Sequence, residues 1–207
     1  MTKCQYGIDL HAGSNFRANF PQIRADIDDP ETLRLAKAFQ VPVIVNARVR
    51  KGSLRYAASK KGIRTLLYEA GEALRLDEEA IRAGLRGVIS VMTALEMLPP
   101  SRRRSPAIEP LVVESTSWVR APASGILHME YPLGSKVINR SRIGIIADPF
   151  GEKEIEIPSP VSGIAIGRLN QPLVHRGDAI IHVGKIGRLK EITPVVEEFR
   201  EEIIEEP

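Results

Sequence analysis

The pattern of apolar and polar positions divides the chain into two halves. In the first hundred residues, three short apolar runs have the length and composition of strands: residues 6–10, 41–45 and 63–68. Helix-capping residues open the segments that follow these runs: Asp29, Ser53 and Asp77. Strand and helix signals therefore alternate, which predicts an α/β fold over residues 1–98 with parallel strands joined by right-handed crossovers.

The second half has strand patterns and an internal repeat. Residues 122–126 (PASGI) recur as residues 160–164 (PVSGI), each copy followed by further apolar positions at matching distances. Two copies of one β-unit predict a small all-β domain over residues 118–186. This domain resembles the barrel-sandwich hybrid of biotinyl and lipoyl carriers. Lys153 lies between the copies but lacks the neighbours of a carrier lysine, so a structural lid is favoured over a swinging arm.

Two further segments complete the predicted organisation. Residues 99–117 contain a run of prolines, serines and arginines, which is typical of an exposed linker. Residues 187–207 form an acidic tail with apolar residues at helical spacing, which predicts a surface helix packed along one stripe.

Composition narrows the class of protein. A hydrophobic content of 43% and a charged content of 27% are ordinary for a soluble globular protein. Basic residues exceed acidic ones by only three, and aromatic residues make up 5%, which argues against a nucleic-acid surface. The single cysteine, Cys4, excludes an internal disulfide framework. No apolar run reaches the ~20 residues of a membrane span, and the N-terminus has no signal-peptide pattern, so we expect a cytoplasmic protein without membrane contact.

Two chemically capable side chains directly follow predicted strands: His11 and Glu69. Ligands of open parallel sheets bind at the carboxyl ends of the strands. A neutral imidazole is a good zinc ligand, and a carboxylate beside it could take a proton from a metal-bound water. The alternatives are a histidine satisfied in the core and a glutamate that caps a helix. Spacing alone excludes neither.

Four segments, in order along the chain, resemble the succinylglutamate desuccinylase/aspartoacylase family: Asp9-Leu10-His11, Arg17-Ala18-Asn19-Phe20-Pro21, Ser53-Leu54-Arg55 and Leu67-Tyr68-Glu69-Ala70-Gly71. The resemblance implies the C-terminal half of a fold related to zinc carboxypeptidases. It also implies a zinc-dependent deacylase that cleaves the amide bond of a small N-acyl amino acid or a related compound. In that family His11 would be a zinc ligand and Glu69 the general base.

The resemblance also suggests which side chains bind the substrate, whose carboxylates suit hydrogen-bonding and cationic groups. The candidates are Arg17, Asn19, Arg55 and Tyr56. Some relatives have an arginine where this chain has Lys60, and a lysine cannot make the same bidentate contact.

The chain departs from the family in one respect. The family takes two more zinc ligands from a His-x-x-Glu pair upstream of the Asp-Leu-His segment, and that pattern does not occur in these 207 residues. The three other histidines all fall in the β-domain, where we expect no role near the sheet: His128, His175 and His182. We therefore expect an N-terminally truncated enzyme that is weakly active or inactive alone.

An exposed sheet edge would favour homo-oligomers or association with the missing segment. The alternative to an enzyme is a non-catalytic binding or assembly module that retains the family fold.

Overall fold

The computed structural model describes residues 4–100 and 109–205. Its helices are α1 (Pro30–Ala38), α2 (Leu54–Ser59), α3 (Glu78–Ala94) and α4 (Ile192–Glu205), with a 3₁₀ turn at Leu189–Glu191. Its strands are β1 (Tyr6–Gly13), β2 (Arg17–Ala25), β3 (Val43–Asn46), β4 (Arg64–Glu72), β5 (Leu111–Val113), β6 (Ser115–Arg120), β7 (Gly125–Met129), β8 (Lys136–Val137), β9 (Arg142–Ala147), β10 (Glu154–Pro158), β11 (Gly163–Leu169), β12 (Leu173–Val174) and β13 (Ala179–Lys185). None of the described helices has both the length and the hydropathy to cross a membrane.

The three predicted helix starts are confirmed. The side chains of Asp29, Ser53 and Asp77 each accept a hydrogen bond from the backbone N–H three residues further along. These bonds satisfy N–H groups that have no partner inside the helix. Local side-chain chemistry therefore fixes where α1, α2 and α3 begin.

The first sheet is mixed, so the prediction of a parallel sheet is correct only in part. β1 and β4 are parallel, as are β2 with β3 and β3 with β5. β2 is antiparallel to β4, because the chain reverses between β1 and β2 at Asn15 and Phe16, which have φ angles of 54° and 58°. The sequence pattern did not identify β2 as a strand.

The same sheet runs on into the second half of the chain. β2 pairs with β11, and β13 and β6 follow, all antiparallel. A second sheet has the order β10-β9-β7-β12. The ordered elements between residues 111 and 185 are all strands, and the resemblance to a barrel-sandwich hybrid stays a prediction. Of the predicted linker, residues 101–108 lie outside the described residues, and residues 111–113 form β5.

Two apolar clusters support these sheets. One packs α1, α3 and α4 against the mixed sheet around Phe20, Phe39 and Phe199. The other lies between the strands of the second half, around Ile143 and Ile180. Each cluster contains side chains from β11, Ile164 and Ile166 in the first and Ala165 and Leu169 in the second, so this strand contributes to both cores.

Small residues form the buried face of α3. Its buried positions are Ala83, Gly84, Gly87 and Val91, whereas larger apolar residues of the same helix lie at the surface. The Phe39 ring lies against the helix at Gly87, where an added Cβ would come within 2.1 Å of a ring carbon. The glycine therefore lets the ring pack closely on the helix backbone.

We expect the substitution Gly87→Ala to lower the free energy of unfolding by about 1–3 kcal/mol, because the buried Phe39 ring has to move to admit the methyl group. Chemical denaturation measures the change. Leu85→Ala on the exposed face of the same helix is the control and should change stability by at most about 0.5 kcal/mol. Equal stability of Gly87→Ala and the unmodified protein would contradict this packing.

Candidate active site

His11 and Glu69 lie side by side in the sheet. They are register partners in the parallel pair of β1 and β4, and partners in adjacent strands direct their side chains to the same face. Both line a cavity of about 610 Å³. Each residue lies within its strand rather than after it, because β1 continues to Gly13 and β4 to Glu72. The structure therefore brings together the two residues that the strand pattern singled out.

Two side chains from β2 contact the Glu69 carboxylate. The Nδ2 atom of Asn19 donates a hydrogen bond of 2.7 Å to Oε2, and the Nε atom of Arg24 lies 3.5 Å from Oε1. The Glu69 side chain is 21% exposed, which leaves part of the carboxylate open to the cavity. β2 therefore fixes the orientation of the carboxylate from one side.

His11 has a carboxylate partner on its own strand. Its Nε2 atom lies 3.2 Å from Oδ2 of Asp9, two residues earlier and on the same face of β1. The imidazole is 49% exposed, and the contact with Asp9 leaves Nδ1 available. Metal-binding histidines commonly have this arrangement, in which a carboxylate holds the second ring nitrogen.

The donor atoms near His11 do not make a complete zinc site. Catalytic zinc takes three protein ligands and a water. Within residues 4–100 and 109–205, no group of three or more His, Cys, Asp or Glu side chains is arranged to hold a metal ion. These residues fit zinc as the source of one histidine ligand and its orienting carboxylate.

Arginines form much of the cavity wall: Arg24, Arg48, Arg50 and Arg55. Arg55 was predicted from the sequence, and its Nη1 donates a 3.0 Å hydrogen bond to the carbonyl of Ala47. Burial lowers the pKa of the Arg55 guanidinium, and the nearby charge of Arg24 acts in the same direction. Arg48 and Arg50 were missed, although they follow the end of β3 as His11 and Glu69 follow the predicted strand ends.

Two of the predicted substrate-binding residues lie elsewhere. Arg17 lies over the ring of Trp118 at 5.4 Å from its centroid, and its Nε donates to the carbonyl of Ala179. The Tyr56 ring lies 5.3 Å from the Lys60 ammonium. Neither Arg17 nor Tyr56 is among the described residues that line the cavity. Asn19 reaches the site through Glu69 rather than through the cavity wall.

The second half of the chain also reaches the site. Ser115 and Thr116 line the cavity, and His182 is buried and stacked on Trp118, with ring centroids 4.3 Å apart. Burial lowers the pKa of His182 to about 3, and the charge of Arg24 adds to the effect. His182 was expected to have no role near the sheet, whereas it lies within β13 of the same sheet, and the charge of Arg24 contributes to its lowered pKa. His128 and His175 are exposed.

Comparison with known proteins supports the resemblance. Residues 1–95 match the family model of the succinylglutamate desuccinylase/aspartoacylase catalytic domain. A succinylglutamate desuccinylase/aspartoacylase from Rhodobacter sphaeroides is 22% identical, with a TM-score of 0.76 over 89% of this chain and 59% of that one. The apo ectoine utilization protein EutE (DoeB) from Ruegeria pomeroyi is 19% identical, with a TM-score of 0.76 over 87% and 60%.

An aspartoacylase family protein from Mesorhizobium loti is 15% identical, with a TM-score of 0.67 over 89% of this chain and 64% of that one. At these identities the solved structures show the fold alone. The chain spans about three-fifths of the length of the first two structures. A comparison with curated proteins gave no match.

The buried His182 predicts a pH-dependent stability. Its folded pKa of about 3 lies below the ordinary value of 6.5, so the unfolded chain takes up a proton that the folded protein does not. Above pH 6.5 His182 is neutral in both the folded and the unfolded state and does not lower stability. As the pH falls from 6.5 toward 3, protonation of the unfolded chain lowers the free energy of unfolding by about 1.4 kcal/mol per pH unit.

Denaturation between pH 7 and pH 4 tests this expectation. His182→Phe keeps a neutral ring on Trp118 and should remove that slope, whereas His175→Gln at an exposed position should retain it. An unchanged pH dependence in His182→Phe would show that His182 titrates in the folded protein as it does in the unfolded chain.

Proposed function

We propose that this chain, whose residues 1–95 match the family model of the succinylglutamate desuccinylase/aspartoacylase catalytic domain, carries the general base and one metal ligand of a zinc-dependent deacylase. The proposed reaction is hydrolysis of the amide bond of a small N-acyl amino acid or a related compound. The observation that carries the proposal is the register of His11 against Glu69, because it directs an imidazole and a carboxylate to the same cavity.

Glu69 performs the proton transfers in this proposal. Its carboxylate accepts a proton from a water molecule as the water oxygen attacks the amide carbonyl carbon. The same carboxyl group then delivers the proton to the leaving nitrogen, and the C–N bond breaks. The remaining proton of the water passes to the released amine, so that the products are a carboxylate and an ammonium group. The contacts from Asn19 and Arg24 hold the carboxylate at one place during both transfers.

His11 is the ligand that this chain offers to zinc. Asp9 holds its Nε2 atom, which leaves Nδ1 as the nitrogen that would bind the metal. When bound, zinc would lower the pKa of its water toward ~7. Because the described residues contain no three-donor group, the proposal requires further ligands from outside them.

The arginines of the cavity wall recognise the carboxylates of the substrate. Arg48, Arg50 and Arg55 lie around the cavity that contains Glu69, and an arginine can hold a carboxylate with two parallel hydrogen bonds. Partial burial of Arg55 reduces the screening of its charge by water. The cavity therefore favours an anionic substrate.

A second candidate function is binding of an anionic small molecule without turnover. The lack of a three-donor metal group within the described residues favours it, and the arginine-lined cavity serves it equally well. The two functions differ in the role of Glu69, which is essential for hydrolysis and dispensable for binding.

We expect Glu69→Gln to lower kcat for hydrolysis of an N-acyl amino acid by about 10²–10⁴-fold, because glutamine cannot accept the proton from water. The assay uses the chain joined to an upstream segment that carries a His-x-x-Glu pair, with zinc content measured in parallel. Glu154→Gln on the exposed strand β10 is the control. Unchanged hydrolysis in Glu69→Gln, or no hydrolysis by the zinc-loaded parent, would contradict the proposed mechanism.

We expect Arg55→Ala to weaken binding of an N-acyl amino acid about tenfold or more, because a hydrogen bond to a charged group contributes about 1.5–3 kcal/mol. The readout is KM for the chain joined to the upstream segment, which we call the hydrolytic form, or Kd by calorimetry for the chain alone. Arg17→Ala should leave both constants within about twofold, since Arg17 contacts Trp118 rather than the cavity. The reverse order of effects would place the substrate carboxylate near β6 instead.

A further inference from the structure

We propose that Asn19 is a positioning residue for Glu69 and that Gly167, in the second half of the chain, keeps it in place. The catalytic consequence rests on the proposed function, in which Glu69 is the base. The structural part of the proposal, that Gly167 sets the contact between Asn19 and Glu69, does not depend on that function. The proposal assigns a purpose to the pairing of β2 with β11.

The side-chain amide of Asn19 bridges the gap between two strands. Its Nδ2 atom donates to Oε2 of Glu69 at 2.7 Å, and its Oδ1 atom faces β11. Asn19 pairs with Gly71 of β4 on one side of β2 and with Gly167 of β11 on the other. The Asn19 amide therefore lies between the Glu69 carboxylate on β4 and the backbone of β11, which belongs to the second half of the chain.

The residue directly opposite Glu69 does not serve this purpose. Gln22 is the register partner of Glu69 across β2 and β4, but its Nε2 donates to the carbonyls of Phe20 and Ile166. The pairing of β2 with β4 shifts in register between Asn19 and Gln22, and it is the Asn19 side chain that contacts Glu69. The irregularity in β2 thus determines which amide meets the carboxylate.

Gly167 provides the space for Asn19. A Cβ atom at Gly167 would lie 3.0 Å from Oδ1 of Asn19 and 3.3 Å from Cβ of His182. His182 cannot retreat freely, because it is 5% exposed and its ring is stacked on Trp118 at an interplanar angle of 6°. A side chain at position 167 therefore pushes on Oδ1 of Asn19, and a shift of this amide by a few tenths of an ångström perturbs its hydrogen bond to Glu69.

The contact between Asn19 and Glu69 has two possible purposes. It can orient the base for proton transfer, or it can simply stabilise the packing of β2 on β4. A purely structural contact would change stability when it is removed and leave the reaction in the surviving folded protein unaltered. Orientation of the base would lower kcat while KM stays the same, because substrate binding uses the arginines of the cavity wall.

The first experiment uses the full chain labelled with ¹⁵N at asparagine. We expect the Nδ2 resonance of Asn19 to shift in Glu69→Gln, and to shift in Gly167→Ala, where the methyl group displaces the amide. Gly187→Ala is the matched control, because a Cβ at Gly187 meets no atom within 4 Å. An Asn19 resonance that is the same in Gly167→Ala and Gly187→Ala would overturn the role of Gly167.

The second experiment uses the hydrolytic form of the protein. We expect Asn19→Ala to lower kcat by about ten- to hundredfold with KM unchanged. We expect the double variant Asn19→Ala/Gly167→Ala to be no slower than Asn19→Ala, because both changes act through the same hydrogen bond. An effect of Asn19→Ala on KM or stability alone would overturn the positioning role.

The two experiments separate this proposal from the proposed function. If no form hydrolyses N-acyl amino acids, the deacylase assignment fails, while the asparagine resonance still decides whether Gly167 sets the contact. If Gly167→Ala gives too little folded protein, Asn19→Ala decides the positioning role by its effect on kcat against KM.

Discussion

The register of two parallel strands is the constraint on which the site depends. β1 and β4 pair so that His11 lies opposite Glu69, and a shift of one residue would turn one of them to the other face of the sheet. The apolar positions of β4 hold this register, because Leu66 and Tyr68 are buried against the helices while Glu69 faces the cavity. The core therefore determines the position of the polar groups.

The antiparallel strand β2 converts this pair into an oriented site. It lies between β4 and β11 and contributes Asn19 and Arg24, whose side chains meet the carboxylate of Glu69. Because β2 also pairs with β11, the two halves of the chain share one sheet, and the second half contributes to the site as well as to the fold. Its strands contribute to both cores, its first residues line the cavity, and its buried histidine lies near Arg24.

Local signals in the sequence were enough for part of this picture. The capping residues Asp29, Ser53 and Asp77 marked the helix starts, and the strand pattern singled out His11 and Glu69, which are register partners in the sheet. The repeat at residues 122–126 and 160–164 indicated a strand-rich second half, and that region contains only strands between its turns.

Long-range pairing explains what the sequence did not reveal. β2 contains Pro21 and has buried residues in succession from Phe20 to Ile23, so it lacks the alternation by which a half-buried strand is recognised. Its pairing with β11 depends on residues about 150 positions away, which no local pattern encodes. Arg24 lies in β2 and was overlooked with that strand. Arg48 and Arg50 follow the end of β3, and the assembled sheet brings all three arginines to one cavity.

The most direct test of this account is the register of β1 against β4 in solution. Backbone nuclear Overhauser contacts between the two strands measure it without any assumption about metal or substrate. The account predicts contacts that align His11 with Glu69 and Asp9 with Leu67. Contacts displaced by one residue would place the imidazole and the carboxylate on opposite faces of the sheet, and would contradict a shared site.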